Sequence, residues 1–536
     1  GRGLQITGQP TLGSLELLVD TSLSVANQFS VEQGILVDGV TLTLNDNGIF
    51  TSSLVLDNGT LQISGQPTFS GTLSQTSPSR VRLNPGSLLT TEKALGLGHG
   101  VLQLEGPGTL ANGQTFVLDQ AGAGLEFSDN VSVSGAVELG AGAFRASGDA
   151  TLSGSLSLLT DAQIEVGANQ TLSYSGSSLN VGANKLGLSG GGSLSNTQPV
   201  ILDQASSLLS FEGISQTGPV QVNVASDSGY GLEVKATVVV SKIEALAETS
   251  LVLSDNQSLS GDVLLSSGSG LTVSGNGLLA SSVELAGGAL RIPDNRILSN
   301  DLSLTSDSLL EITGELLLEQ SGGLGVGANV LSLSGGGRLN IAGGLHLDQA
   351  SSLLVLSGVT LDNVSTTSAS LGLRVDNASS IEFLEVLDST PLLISEGVSL
   401  TGGIELMQGG TLQLTGPGTV QSTLKLYGGT LDIDDNLSWS GVWSQEADGV
   451  IDIAVGNTLL YEDGNLDLGV HALEIKGAGS FDFTDNQSAI VLDQSSSLLE
   501  LSDNGTVSHV RIQATPSSGR GLQITGQPTL GSLELL

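Results

Sequence analysis

The sequence repeats itself on three length scales, and this repetition constrains the fold more than any other feature. Residues 1–18, GRGLQITGQPTLGSLELL, recur without a change at residues 519–536. So long an identical stretch does not arise by chance. We therefore interpret residues 1–518 as one tandem repeat unit and residues 519–536 as the start of the next identical unit.

A second repeat lies inside this unit and is marked by the phrase Leu-Asp-Gln, which small residues and a leucine follow. Its copies begin at Leu118, Leu202, Leu347 and Leu492, so they are spaced by 84, 145 and 145 residues. Continuing through the repeated end gives 144 residues to the next copy. We therefore expect three modules of about 145 residues and one shortened to 84.

The shortest repeat is the motif apolar-x-apolar-x-Gly-x-(Gly/Pro)-x-apolar. Its copies begin at Leu4, Leu61, Leu102, Leu186, Leu271, Leu331, Leu412 and Leu473. The spacings between successive copies lie near multiples of one short period. In chain order they correspond to three, two, four, four, three, four and three turns, and two further turns separate the last copy from the first copy of the next unit. This predicts about 25 turns of about 21 residues in each 518-residue unit.

Alternating Leu-x-Leu segments indicate short strands with one buried face, and each segment ends at glycine or at an Asp-Asn pair. Helical periodicity is nearly absent. Short strands that recur with this period predict an all-β fold, a parallel β-helix (β-solenoid) with about three strands in each turn. We expect residues 1–536 to form a single continuous β-solenoid, a rod without caps.

The composition limits the classes of partner. The chain carries 54 acidic and 16 basic residues, a net charge of -38, and the basic residues are scattered. Nucleic acid and anionic membranes both require dense Lys or Arg, so we expect neither as a partner. No apolar stretch is long enough for membrane insertion in this segment. The expected partner is the protein itself, by end-to-end continuation in a tandem array and by lateral fibre association, with weak binding of divalent cations as a further possibility.

Ten Asp-Asn pairs are expected at corners, because both residues tolerate left-handed backbone and cap their own backbone at turns. Glycosylation sequons follow from these pairs, as at Asn130, Asn256, Asn486 and Asn504. The single Thr-x-Thr at Thr41 and Thr43 is too isolated to indicate an ice-binding surface.

A search for chemistry finds little. The chain has no cysteine and no HExxH, GxSxG or P-loop motif. The four histidines are scattered, at His99, His346, His471 and His509. His99 and His471 fall at a corner position where other copies carry alanine or asparagine, so they indicate a corner and not a ligand set. We predict that the chain is not an enzyme and has no catalytic, cofactor-binding or metal-binding residues.

One cluster keeps an enzymatic alternative open. Asp432, Asp434 and Asp435 precede the two tryptophans of the chain, Trp439 and Trp443. Enzymes that cleave polysaccharides use paired carboxylates, and sugars stack on aromatic rings. A carbohydrate-active β-helix enzyme is therefore the second alternative, although an acidic corner followed by two aromatics in an irregular turn also accounts for the pattern.

Several glycine-rich phrases resemble the repeats of bacterial autotransporter passengers and filamentous-haemagglutinin-type adhesins. These are GPGTL at 106–110, GPGTV at 416–420, YGGTLDI at 427–433 and GAGSF at 477–481. The resemblance implies a right-handed parallel β-helix that is secreted, extracellular or at the cell surface of a prokaryote. With the 518-residue repeat, it favours a structural extracellular fibre, such as a stalk, filament or surface appendage. The first alternative is the shaft of a giant bacterial adhesin.

Overall fold

The computed structural model describes residues 3–536, and its regular elements over that range are all strands. The strands pair in parallel and wind into about 27 turns of about 20 residues, which confirms the predicted β-solenoid. Within the same range no helix is long and apolar enough to span a membrane.

The chain divides into two compact units, Gly1–Leu264 with Ser269–Ser281, and Leu265–Gly268 with Ser282–Leu536. In each unit a complete turn has three faces, which we number in chain order. Thr60–Ile63, Thr68–Phe69 and Leu73–Gln75 are the three faces of one turn. The division of the sequence into a 518-residue unit and the start of the next stays a prediction.

The strands of the first unit are grouped here by face. The first face contains Leu4–Ile6, Thr21–Val25, Thr41–Leu44, Thr60–Ile63, Ser79–Leu83, Val101–Glu105, Gly124–Phe127, Ala143–Ala146, Ala162–Val166, Lys185–Ser189, Leu208–Phe211, Gly231–Val234, Glu248–Leu253 and Gly270–Gly275. The second face contains Thr11–Leu12, Gln28–Val31, Ile49–Phe50, Thr68–Phe69, Leu88–Thr91, Thr109–Asn112, Val131–Val133, Ala150–Leu152, Thr171–Tyr174, Ser193–Asn196 and Gln216–Thr217. The third face contains Leu15–Leu17, Ile35–Asp38, Leu54–Asp57, Leu73–Gln75, Phe116–Leu118, Val137–Leu139, Leu156–Leu158, Leu179–Asn180, Val200–Leu202 and Val220–Val222. Strand Val238–Ala245 covers the second and third faces without a break.

The strands of the second unit also form three faces, which are numbered by the same rule. The first face contains Ala289–Ile292, Ser308–Ile312, Val330–Ser334, Leu353–Ser357, Gly372–Asn377, Ser389–Ile394, Thr411–Thr415, Thr430–Ile433, Gly449–Ile453, Ala472–Gly477, Leu498–Leu501 and Gly521–Ile524. The second face contains Arg296–Leu298, Glu315–Leu318, Arg338–Ile341, Leu437–Trp439, Thr458–Tyr461 and Ser480–Phe483. The third face contains Leu302–Ser306, Leu324–Gly325, Leu345–Leu347, Trp443–Gln445, Leu466–Asp467 and Ile490–Leu492. The strands that cover both faces are Thr360–Thr366, Ser379–Val386, Ser399–Met407, Thr419–Tyr427, Thr506–Ile512 and Thr529–Leu535. Strands Ser258–Ser266 and Leu278–Ala286 contain residues of both units.

The leucine that opens each copy of the short glycine motif lies on a first-face strand in all eight cases. The copies of the first unit are three, two, four and four turns apart, and those of the second are four and three turns apart, as the sequence predicts. The turns themselves are unequal. The turn from Leu4 to its partner Leu23 is clearly shorter than the turn from Ala472 to its partner Leu498. The period of about 20 residues per turn is therefore an average over turns whose corners differ in length.

Each of the two glycines of the motif is required for a different steric reason. Gly477 has a φ of 85°, in the left-handed region that favours glycine. Gly479 lies so close to the preceding turn that a Cβ there would be 2.3 Å from Cγ2 of Ile453. The same pair recurs at Gly106 and Gly108, Gly190 and Gly192, Gly275 and Gly277, Gly335 and Gly337, and Gly416 and Gly418. The motif thus marks the corner between the first and second faces.

Asp and Asn side chains at the corners hydrogen-bond mainly to the backbone of an adjacent turn. The backbone N–H of Thr458 donates to Oδ1 of Asn436 at 2.9 Å, and that of Gly416 donates to Oδ2 of Asp435 at 2.8 Å. The predicted cap of the local backbone occurs at Asp485, whose Oδ1 accepts from the N–H groups of the residues two and three positions later. Asx residues therefore hold neighbouring turns together as well as shaping corners.

The core is filled by ladders of inward side chains. On the second face of the first unit, Phe29, Phe50 and Phe69 lie in register, and all three are at most 1% exposed. Their ring centroids are 6.1 and 4.8 Å apart. Successive side chains of a strand point to opposite faces, so every second side chain lies in the core. The alternation predicted from the sequence therefore forms the ladder.

Replacing the middle ring of this ladder should destabilise several turns at once. We expect Phe50→Ala to cost about 3–5 kcal/mol, because the cavity opens against both neighbouring rings. Hydrogen–deuterium exchange should show lost amide protection in Gln28–Val31, Ile49–Phe50 and Thr68–Phe69. Ile49→Ala, at the outward neighbour that is 45% exposed, is the matched control and should leave protection nearly unchanged. Equal effects of the two variants would contradict this account of the core.

Candidate functional site

The acidic cluster that kept the enzymatic alternative open is held in structural contacts. Asp434 accepts a hydrogen bond from Nε2 of Gln413 at 2.6 Å, and Asp435 caps the backbone of Gly416. Both partners belong to the preceding turn, on or directly after strand Thr411–Thr415. These two carboxylates are therefore engaged in joining turns.

Asp432, the third acidic residue of the cluster, has a raised pKa. It lies outward on the first face, directly opposite Asp452 of the next turn, and Asp452 pairs with Nζ of Lys476 at 3.0 Å. Burial raises the pKa of Asp432, and the neighbouring charges of Asp434 and Asp452 raise it further, while Lys476 opposes them. The carboxylates of Asp432 and Asp452 thus stack on the outward side of the first face, and Lys476 pairs with Asp452.

The two tryptophans lie in the core and do not face the acidic cluster. Trp439 is 0% exposed and donates from Nε1 to the carbonyl of Ser422 at 2.7 Å. Trp443 is 5% exposed, and its ring centroid is 5.0 Å from that of Trp439. Tyr461 packs against Trp443, and burial raises the pKa of Tyr461 to about 12. Neither indole offers a face on which a sugar could stack.

The four histidines lie in different turns of the solenoid. His99 is exposed and directly follows Gly98, whereas His471 is half-buried and lies two residues after Gly469; both glycines have left-handed φ. Nδ1 of His346 lies 2.6 Å from Oγ of Ser365 in the next turn. His509 forms the same contact with a serine of its next turn at 2.6 Å. Within residues 3–536, no group of three or more His, Asp or Glu side chains could hold a metal ion.

The remaining candidate residues lie on the surface. Thr41 and Thr43 are half-buried on the outward side of strand Thr41–Leu44. The sequon asparagines named above are exposed at corners, at Asn130, Asn256, Asn486 and Asn504. Two of them have left-handed backbone, with φ of 63° at Asn130 and 59° at Asn256. The expectation that Asp-Asn pairs lie at corners therefore agrees with the positions of these residues.

A shallow groove on the first face of the first unit is crossed by ion pairs. Arg145 and Glu165 are 2.7 Å apart, and Lys185 and Glu212 are 2.8 Å apart. Burial alone would raise the pKa of Glu212, but hydrogen bonds from lysines 185 and 235 and serine 210 outweigh it and lower the pKa. The charges of these residues thus satisfy one another across successive turns.

The Leu-Asp-Gln phrase marks a polar corner, which we call the clip, between the third face and the first. In the copy that begins at Leu347, the hydroxyl of Ser352 accepts from the backbone N–H of Gln349 at 3.0 Å and donates to the carbonyl of Gly327 at 2.5 Å. The N–H of Gly327 donates in turn to Oδ1 of Asp348 at 3.0 Å. One aspartate and one serine therefore satisfy both backbone groups of a left-handed glycine in the preceding turn.

The clip recurs with the period of the long modules. Ser207 and Ser497 make the same two hydrogen bonds as Ser352. Each hydroxyl accepts from the backbone N–H of the glutamine three residues earlier and donates to a glycine carbonyl of the preceding turn, that of Gly182 or Gly469 respectively. All three serines are 0% exposed. Alanine 123 stands at the corresponding position of the copy that begins at Leu118 and is also buried. The constant spacing between glutamine and serine was visible in the sequence, but its meaning depends on a glycine partner in the preceding turn.

A comparison with protein-family models, with curated proteins and with solved structures finds no match to this chain.

Removing the hydroxyl of one clip should weaken the joint between two turns. We expect Ser352→Ala to cost about 1–3 kcal/mol, since the carbonyl of Gly327 and the N–H of Gln349 lose their buried partner. Denaturant unfolding and exchange of the amides around this corner measure the loss. The adjacent exposed Ser351→Ala is the matched control and should change neither. An unchanged exchange rate in Ser352→Ala would show that the clip does not stabilise the corner.

The raised pKa of Asp432 predicts a pH dependence of stability. The native state binds this proton more tightly than the unfolded state, so the stability contribution of Asp432 falls as pH rises from the ordinary aspartate pKa through the raised one. Asp432→Asn should therefore stabilise the protein more, relative to the parent, at about pH 7 than at about pH 3. Unfolding free energies at both pH values test this. A larger benefit of Asp432→Asn at the lower pH would contradict the assignment.

Proposed function

We propose that this protein is a structural element of an extracellular fibre, such as a stalk, filament or surface appendage, built from tandem solenoid repeats. The observation that carries the proposal is the regular stacking of parallel turns, in which each strand pairs with the strand of the next turn on the same face. A β-solenoid fold is compatible with a structural fibre and with the shaft of an adhesin. The shaft of a giant bacterial adhesin is therefore the alternative.

Mechanical strength is the function that such stacking supports. Every backbone hydrogen bond between turns contributes only about 1 kcal/mol net. Strands as long as Ser399–Met407 and Thr419–Tyr427 are paired at nine successive positions, so several bonds must break together when the two turns separate. The clips add side-chain bonds at intervals along the chain. The arrangement suits a load-bearing element better than a site that must open for a substrate.

Protection from proteolysis is a second property expected of an extracellular fibre. Strands paired on both edges leave little frayed backbone for a protease to bind. The inward residues of successive turns are almost completely buried, as Leu412, Leu414, Leu431 and Ile433 illustrate with exposures of at most 1%. We further propose that the protein is secreted by a prokaryote to the extracellular space or the cell surface. Absence of catalysis remains part of this proposal, and the burial of both tryptophans supports it.

Electron microscopy and fibre diffraction of the native material test the structural role. We expect smooth filaments with an axial spacing of about 4.8 Å, the distance between paired strands. Discrete globular particles would contradict the proposal. So would cleavage of a glycan that is lost in Asp434→Asn while the Asp463→Asn control keeps it, because that result would place catalysis in the acidic cluster.

A further inference from the structure

A small cleft lies at the corner between the second and third faces of the second unit. Residues of three successive turns line it, and its volume is about 210 Å³. The first turn contributes strand Leu345–Leu347 and the corner before it, and the next two contribute strands Thr360–Thr366 and Ser379–Val386. Sites for drug-sized ligands enclose about 300–1,000 Å³, so this cleft fits a smaller molecule.

Phe383 lines the cleft and differs from every other phenylalanine of the chain. All ten phenylalanines lie within residues 3–536, and nine of them are buried in the core, whereas Phe383 is half-buried on the outside. Contact between water and an apolar ring costs free energy that burial in the core would recover. A ring that stays outside the core therefore indicates a role outside the core.

A β-bulge places Phe383 on the outside of its strand. In the pairing with the next turn, the register shifts between Ile381 and Leu384, so the two residues between them lie opposite one residue, Gly403. Ile381 and Leu384 both point into the core. Bulges are frequent next to functional sites, where they re-aim a side chain. Gly403 has no side chain that could cover the ring from the next turn.

The polar side chains of the cleft provide both hydrogen-bond donors and acceptors. Asn363 lies opposite Phe383 in the preceding turn, and Glu385 follows Phe383 by two residues on the same strand. His346 lies opposite Ser365, and its Nδ1 is 2.6 Å from Oγ of that serine. The cleft thus combines one apolar ring with amide, carboxylate, imidazole and hydroxyl groups.

Two of these polar groups are available to a ligand. Within residues 3–536, no hydrogen bond or ion pair engages the side-chain amide of Asn363 or the carboxylate of Glu385. By contrast, Glu405, which lies opposite Glu385 in the next turn, pairs with Lys425 at 2.9 Å. An amide donates and accepts, an ionised carboxylate accepts, and a hydroxyl does both. Asn363 and Glu385 together therefore match the adjacent hydroxyl groups of a sugar.

We propose that this cleft binds one monosaccharide residue of a neutral saccharide. Phe383 lies under one face of the sugar ring, because the negative face of an aromatic ring attracts polarised C–H groups. Asn363 and Glu385 bind the hydroxyl groups at the edge of the sugar. The inference goes beyond the proposed structural function and does not require it, since it rests on the cleft and on no property of a fibre.

The charge of the site selects against acidic sugars. Glu385 brings a carboxylate into the cleft, and the chain as a whole carries a net charge of -38. A uronic acid would place a second carboxylate beside Glu385, and like charges at short range repel each other. We therefore expect a neutral glycoside to bind about tenfold tighter than the corresponding glucuronide.

Ligand-observed NMR with the full chain tests the proposal. The probes are the methyl glycosides of glucose, galactose, mannose, fucose and N-acetylglucosamine, with methyl glucuronide as the acidic comparison. We expect at least one neutral glycoside to bind with a dissociation constant on the order of 1 mM, because a single sugar offers few contacting atoms. Binding of none of the neutral glycosides, or of methyl glucuronide alone, would overturn the proposal.

Substitutions of Phe383 test its place in the site. Phe383→Ala should weaken binding of the glycoside about tenfold, whereas Phe383→Trp should keep it, because the larger ring retains a face for the sugar. Tyr427→Ala is the matched control, since it removes another half-buried aromatic side chain of the second unit that lies outside the cleft. Circular dichroism checks the fold of each variant. Equal affinities of Phe383→Ala and the parent would overturn the assignment.

A second variant keeps the test independent of the aromatic ring. Glu385→Ala removes a half-buried outward side chain without a protein partner, so the fold should survive. It should weaken binding of the neutral glycoside about tenfold, through the loss of a hydrogen bond to a charged acceptor. Unchanged affinity would show that the sugar does not bind beside Glu385 and would contradict the proposed site.

Hydrogen–deuterium exchange locates the bound sugar. At saturating glycoside, the amides of Thr360–Thr366 and Ser379–Val386 should exchange more slowly, while those of Thr60–Ile63 in the first unit should not change. Slower exchange only at other turns would overturn the site. Native filaments without saccharide binding would leave the structural role standing and overturn this inference, and saccharide binding by globular native material would do the reverse.

Discussion

Everything in this fold depends on the requirement that each strand find its backbone partners in adjacent turns. A parallel strand cannot pair with its sequence neighbour through a tight hairpin, so the chain must travel around a complete turn before it returns to the same face. The pairing of Leu61 with Val81 and of Leu431 with Ile451 keeps inward residues above inward residues. A slip of one residue would move every leucine of a strand to the surface, which is why the alternation is so strict.

The corners accommodate the differences in turn length, which strand pairing does not fix. Short and long turns coexist, as the pairs Leu4–Leu23 and Ala472–Leu498 show, because loops lengthen at corners while the strands keep their register. Corners must bend the chain against the backbone of the preceding turn, and that accounts for the left-handed glycines and for glycines such as Gly479 that have no room for a Cβ. It also accounts for the Asx residues, whose short side chains reach backbone groups that the strand ladders do not satisfy. Sequence irregularity is therefore concentrated where the fold tolerates it.

The fold was largely predictable because its main signal is local. Alternation and glycine spacing placed each of the eight motif leucines on a first-face strand of its own unit, with the correct number of turns within each unit. The clip was not predicted, although Leu-Asp-Gln was recognised, because the serine hydroxyl acts on a glycine in the preceding turn and sequence spacing alone cannot identify that partner. The proximity of acids and tryptophans in the sequence was misleading for a related reason. Asp432 and Trp439 are close along the chain, but Asp432 lies outward on its strand and Trp439 points into the core.

The surface charge favours growth of the proposed fibre along the stacking direction over lateral association. The chain has a net charge of -38, and many of its basic residues already pair with acids of adjacent turns, as Arg145 does with Glu165. Lateral contact between two copies would bring acidic surfaces together and is opposed by repulsion unless cations screen it. Contact through a strand edge instead satisfies backbone groups, a gain that is largely independent of the surface charge. Growth along the stacking direction is therefore favoured over thickening, and added salt or divalent cations should promote lateral bundling while changing end-to-end joining far less.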